Sequence, residues 1–189
     1  RSVREYVDRA AQLCKADQVT AMVQEFPALE GVMGREYALL SGEPEPVARA
    51  IYEHQLPRGT GDELPQTMAG TIVSLADKLD TLAGCFAVGI RPSGSSDPYA
   101  LRRKAVACIR VMGTAQLDIS LGLCLELALD QHDVEHREQI QEELTGFFRR
   151  RFEALLRDEG FRHEVIQAVL EAGFDRVPEV WRRASTLKE

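Results

Sequence analysis

Between residues 64 and 86 an apolar side chain returns every three or four positions: Leu64, Met68, Ile72, Leu75, Leu79, Leu82 and Phe86. That spacing keeps to one face of an α-helix and does not suit a strand, whose faces alternate with a period of two. A helix with one long apolar side has to be covered by other elements, and the rest of the chain offers more helices. Val3, Val7, Ala10, Cys14, Asp17 and Ala21 fall on one stripe of a first helix. A second starts at Pro27, runs to about Leu40 and is closed by Gly42. A third covers 43–55 with Val47 and Ile51 facing in, and ends at Leu56-Pro57. Residues 58–62 (RGTGD) read as a loop, and the long helix follows over 64–88.

Residues 89–98 (GIRPSGSSDP) form a second loop, with Asp97 placed to cap a helix that has Pro98 in its first turn. Leu101, Ala105, Cys108, Ile109 and Met112 line that helix, and Gly113-Thr114 loosens its end. Residues 117–129 are apolar on most sides, as in a buried helix. Residues 131–133 break the pattern. A further helix over 135–158 turns Ile140, Leu144, Phe147, Phe148, Phe152 and Leu155 inward and stops at Gly160. Short helices over 162–171 and 178–187 complete the chain. No βαβ alternation and no repeat of fixed period is present. The expected fold class is all-α, with a domain over 1–130 and a smaller helical linker module over 131–189.

Composition narrows the function classes. The 189 residues are 44% hydrophobic, which supports a packed core, and only 6% aromatic. The formal net charge is −7, unlike a general nucleic-acid coat, although local basic faces remain available. No stretch has the length and apolarity of a membrane span, so no membrane partner is expected. Cys14, Cys85, Cys108 and Cys124 contain no CxxC pair, which points to buried thiols in a reducing, cytoplasmic setting. Arg1 stands in a helical pattern already in progress, with no Met and no signal-like segment, so the chain reads as a piece of a longer protein.

Three ionisable residues, Asp17, His54 and Asp80, interrupt apolar helix faces, and Asp77 shares a face with the small residues Gly70, Ser74, Thr81 and Gly84. Carboxylates and a histidine converging from several helices are how a helical domain builds a metal or acid–base site. The ordinary alternative is a hydrogen-bonded core histidine and carboxylates that cap helices or pair with arginine, Asp17 with Arg35 or Arg58 for instance. Periodicity favours Asp80 over Asp77 as the buried member. Basic residues gather at Arg102, Arg103, Lys104 and Arg110 and again at Arg149, Arg150 and Arg151, with Arg58 alone in its loop. Such groups add salt-dependent, sequence-independent affinity for phosphates, or serve as solvated helix faces. No GxxxxGK[ST] loop is present.

The order Lys15-Ala16-Asp17, His54, Ala76-Asp77-Lys78-Leu79 resembles the HD phosphohydrolase superfamily, an all-helical fold with a His…His-Asp…Asp metal set. Ala16 stands where that family has the histidine of its doublet, and its first histidine has no counterpart. Only Asp17 and Asp77 carry over, which implies an HD-like domain with a degenerate metal site and no metal.

A second resemblance is longer. LCKADQVTAMVQEFPALEGVMGREYA (13–38), EHQLPRGTGDELPQTMAGTIVSLADKLDTLAGCFAVG (53–89) and PSGSSDPYALRRKAVACIRVM (92–112) are similar to the β-subunit family of bacterial glycyl-tRNA synthetases. The similarity is strongest before about residue 130. FFRRRFEALLRDEGFRHEVIQAVL (147–170) looks like the helical connector that leads to that family's anticodon-binding domain. The resemblance implies a non-catalytic portion of a glycine–tRNA ligase that contributes tRNA(Gly) binding. ATP and Mg²⁺ would serve the parent enzyme and no cofactor this piece. The α subunit would be its partner in an α₂β₂ assembly. Arg58, Arg102, Arg103, Lys104 and Arg110 would be the RNA-facing residues. The competing expectations are a surviving HD-type phosphohydrolase and a purely architectural helical module.

Overall fold

A computed structural model describes residues 2–59 and 61–187. Arg1, where the first pattern begins, and Thr60 of the expected 58–62 loop lie outside the described residues. Among the described residues there are ten α-helices, two short 3₁₀ turns and no strand. No helix among them is long and apolar enough to cross a membrane. The chain divides into two compact units, residues 1–77 and 78–189.

In the first unit, α1 (Val3–Leu13) starts in a capping box formed by Ser2 and Glu5. The expected stripe from Val3 to Ala21 is not one helix. It breaks after Cys14 into a 3₁₀ turn (Ala16–Val19) and the short α2 (Ala21–Glu25), capped by Thr20. The reason is Asp17, whose carboxylate reaches the amides of Gly31 and Gly34 and draws the turn away from the helix axis. Pro27 opens only a second 3₁₀ turn (Pro27–Leu29), and α3 (Val32–Leu40) begins after Gly31, whose φ of 76° lies in the left-handed region. α4 (Glu45–Glu53) packs on α1 and α3. Ala10, Cys14, Ala38, Val47, Ala48, Ala50 and Ile51 form the core of this unit together with Ala69 and Val73.

The long helix α5 (Met68–Ala87) starts four residues later than the pattern suggests. Pro65 cannot donate a backbone hydrogen bond and holds its predecessor extended. The buried Glu53 carboxylate then receives Thr67 N at 3.0 Å and Thr67 Oγ1 at 2.5 Å. Gly70 lies directly against that carboxylate, where any Cβ would overlap it. The first turns are therefore rotated: Met68 and Ile72 face solvent, and Ala69 and Val73 face in. From Leu75 onward Leu75, Leu79, Leu82 and Phe86 are buried as the spacing predicts.

In the second unit, α6 (Leu101–Thr114) is capped by Asp97, which accepts Leu101 N at 2.7 Å and Arg102 N at 3.0 Å. Pro98 is not in its first turn, because Ala100 intervenes with a φ of 54°. α7 (Leu121–Leu129) starts after Ser120, later than expected. It buries one face, Leu121, Leu125 and Leu129, whereas Leu123 and Leu127 are 53% and 55% exposed. The expectation of burial on most sides does not hold, since α7 packs by a single i,i+4 edge on α8 (Arg137–Asp158). In α8 the aromatic side is buried as expected, with Leu156 in place of Leu155 at its end. α9 (His163–Glu171) and α10 (Val177–Thr186) close the unit. Trp181 of α10 lies on Gly113 of α6 and tilts against Phe152 of α8. The start of α7 is fastened from far along the chain: Asp175 Oδ1 accepts Ser120 Oγ at 2.9 Å and Gly122 N at 2.8 Å, and Asp175 O accepts Leu121 N at 3.0 Å. The composition break at 131–133 sits between α7 and α8, where Arg137 pairs with Asp130.

Candidate functional site

Asp17 is 1% exposed, so its carboxylate needs partners within the fold. Oδ2 has two, Gly31 N at 2.7 Å and Gly34 N at 2.9 Å. Oδ1 is buried without a hydrogen-bond partner among the described residues. Neither Arg35 nor Arg58 pairs with Asp17. Arg35 pairs with Glu36, and Arg58 donates to the carbonyls of Ala28 at 3.2 Å and Glu30 at 2.8 Å. Gly34 permits this arrangement, since a Cβ there would sit 2.8 Å from Ile51 Cγ2 and 3.0 Å from Asp17 Oδ2.

His54 is fully buried at the end of α4. Its Nδ1–H donates to the Ile51 carbonyl, and its Nε2 accepts from Gln55 Nε2 at 3.0 Å. With both ring nitrogens engaged it is a core histidine rather than a ligand with an open lone pair. Asp77 receives Lys15 Nζ at 2.5 Å. Its side chain is 13% exposed against 55% for Asp80, so the order suggested by periodicity is reversed. Asp80 accepts from His132 at 3.0 Å, and the His132 ring covers Gly84.

The four candidates therefore have four different attachments. Asp17 and Asp77 do share an electrostatic neighbourhood: burial pushes the Cys14 thiol above its ordinary value, and both carboxylates add to the shift against Lys15. Among the described residues no three His, Cys, Asp or Glu side chains are grouped to hold a metal ion. One carboxylate oxygen set on amides, one aspartate on a lysine and a histidine with both nitrogens bonded do not fit the divalent metal of an HD hydrolase. No sequence pattern marks Glu53, the neighbour of His54, which is 2% exposed and holds Arg49, Thr67 and the α5 start together.

The basic residues behave differently. Arg58 is fastened to backbone carbonyls. Arg102, Arg103, Lys104 and Arg110 make no ion pair among the described residues. Arg102 and Arg103 stand in the first turn of α6, Arg103 exposed and Arg102 and Lys104 half-buried. Arg151 was seen in the sequence only as part of a charge run. It is half-buried on α8, with its guanidinium 5.7 Å from the Phe147 ring centre and its Nε buried without a hydrogen-bond partner.

This fold and these side chains define an all-α domain whose carboxylates are committed to its own backbone and side chains, and whose cations on α6 are not. Within that class the sequence is specific. A family model described as glycyl-tRNA synthetase beta subunit matches residues 2–171, and the chain belongs to that family. The match continues well past residue 130. The chain is 45% identical over 189 residues to a glycine–tRNA ligase beta subunit of Desulforamulus reducens, covering 97% of this chain and 27% of that protein. A beta subunit of Clostridioides difficile is 45% identical over 182 residues, 95% of this chain and 26% of its own length. One of Acaryochloris marina is 48% identical over 174 residues, 90% and 24% respectively. The chain thus spans about a quarter of the length of the curated relatives it matches.

Proposed function

We propose that the chain works within a glycine–tRNA ligase, where it helps bind and position tRNA(Gly) and carries out no chemistry itself. The observation that supports this reading is the unpaired basic turn at the start of α6 in a chain of the beta-subunit family. No salt bridge among the described residues neutralises Arg102, Arg103 or Lys104, and phosphate oxygens need cations that are free. ATP and Mg²⁺ then belong to the complete enzyme, and the α subunit and tRNA(Gly) are its partners. The HD-like descent of the domain explains why Asp17 and Asp77 occur in their order while their side chains serve structure.

The test is a titration of the chain with tRNA(Gly), with Mg²⁺ present and at two salt concentrations. The expected result is weak binding that falls as salt rises, and Arg102→Glu combined with Arg103→Glu weakens it in a protein that still melts cooperatively. Unchanged affinity in that folded double variant refutes the reading, and leaves the architectural role in its place.

A further inference from the structure

The two basic runs of the sequence are separated by most of α6, all of α7 and half of α8, yet α6 packs on α8. With α6 on α8, Arg102 of the first run is near enough to Arg151 of the second for its charge to act there, as does that of Arg150. The Arg151 guanidinium is held below its ordinary value first by burial and then by the positive charges of Arg102 and Arg150. At Arg151 the acidic group acting against this is Asp97. Its two oxygens are already committed to the Leu101 and Arg102 amides as the cap of α6. None of the three arginines has a side-chain ion pair among the described residues. Arg150 also lines a cleft of about 320 Å³ with Pro92, Gly146, Phe147, Glu142 and the Arg91–Glu143 pair.

We propose that Arg102, Arg150 and Arg151 form one composite seam between α6 and α8 that receives consecutive phosphates of an RNA backbone. This rests on the reading of the chain as a tRNA-contacting part, and assigns the contact to residues from two helices rather than to the contiguous run 102–104. Two like charges beside a half-buried guanidinium repel it until an anion enters, and a planar guanidinium offers paired donors to phosphate oxygens. A single small anion would offset only part of the three positive charges. A phosphodiester chain presents charges at regular intervals and satisfies all three. The exposed Ser95 and Ser96 at the tip of the preceding loop leave room for the strand to pass.

The experiment measures binding of the chain to a tRNA(Gly) transcript over a salt series, for Arg150→Gln, Arg151→Met and the remote control Arg4→Gln, each with a thermal melt. Arg150→Gln and Arg151→Met should each weaken binding by about threefold to tenfold and lower the salt slope by about one, and Arg4→Gln should change neither. Arg151→Met should melt at or above the temperature of the parent chain, because it removes like-charge repulsion and keeps the contact with Phe147. A residue with a purely structural role would lose stability together with affinity. Parent-like binding by Arg150→Gln and Arg151→Met, while Arg102→Glu with Arg103→Glu still weakens it, overturns the seam and leaves the tRNA reading standing. No binding by the parent chain at any salt overturns both. Polyglutamate binding as tightly, with the same dependence on Arg150 and Arg151, assigns the seam to an acidic protein surface and overturns the RNA assignment.

Discussion

Asp17 accepts two amides through one oxygen and buries the other without a hydrogen-bond partner among the described residues, an asymmetry that sets what its replacement does. Asp17→Ala strands the Gly31 and Gly34 amides inside the fold. The expected loss is about 3 kcal/mol, read as a lower urea midpoint. Asp17→Asn keeps an acceptor for the same two amides and should lose clearly less. Equal losses in the two variants would mean that the charge, not the hydrogen bonds, holds the turn. Cys14 provides a second test. Its thiol is raised above the ordinary value by burial, with Asp77 and Asp17 adding to the shift. The folded chain therefore keeps the proton where the unfolded chain has lost it. The corresponding stability is present below the unfolded thiol value of about 8.5 and is lost as pH rises through the folded value. Cys14→Ala should flatten the decline in melting temperature between neutral and alkaline pH. An unaltered alkaline limb would count against a buried thiol at this position. Burial also raises Cys85 and Cys124, so the flattening is partial.

At the scale of the element, the joints between helices depend on small residues that the periodicity does not explain. A Cβ on Gly113 would lie 2.6 Å from Trp181 Nε1, so Gly113→Ala forces α6 and α10 apart. The expected cost is about 1–3 kcal/mol of stability, with a shift in fluorescence of the chain's single tryptophan. An unshifted spectrum would show that the ring does not rest on this glycine. The sequence made the second half of α5 legible because Leu75, Leu79, Leu82 and Phe86 bury by spacing alone. The first half was not legible, because Glu53, far back in the chain, sets its rotation through Thr67 and Gly70. The break after Cys14 was hidden for the same reason: it is made by a side chain bonding to amides fourteen and seventeen residues onward. Asp97 was readable as a cap, since its partners are its near neighbours. Pro98 was misplaced because the left-handed Ala100 leaves no mark in a helical pattern.

For the molecule as a whole, a net charge of −7 coexists with a concentration of unpaired arginine on α6 and α8. Both basic runs stood out in the sequence. Their meeting did not, because it depends on how α6 and α8 pack, as the four attachments of Asp17, His54, Asp77 and Asp80 depend on tertiary neighbours. The family was legible from long gapless blocks, and the use to which each side chain is put was not.

The Asp175 clamp has a practical bearing on where the chain can be cut. The family match stops at residue 171, a natural place to trim. A chain trimmed there loses the aspartate that holds Ser120, Leu121 and Gly122, and loses α10 with it. Two backbone amides at the mouth of α7 would then turn to water, and the segment around 117–122 would fray open to a protease such as thermolysin. The intact chain should resist cleavage there. The end of the family model and the end of the body that Asp175 fastens are, in this protein, different lines.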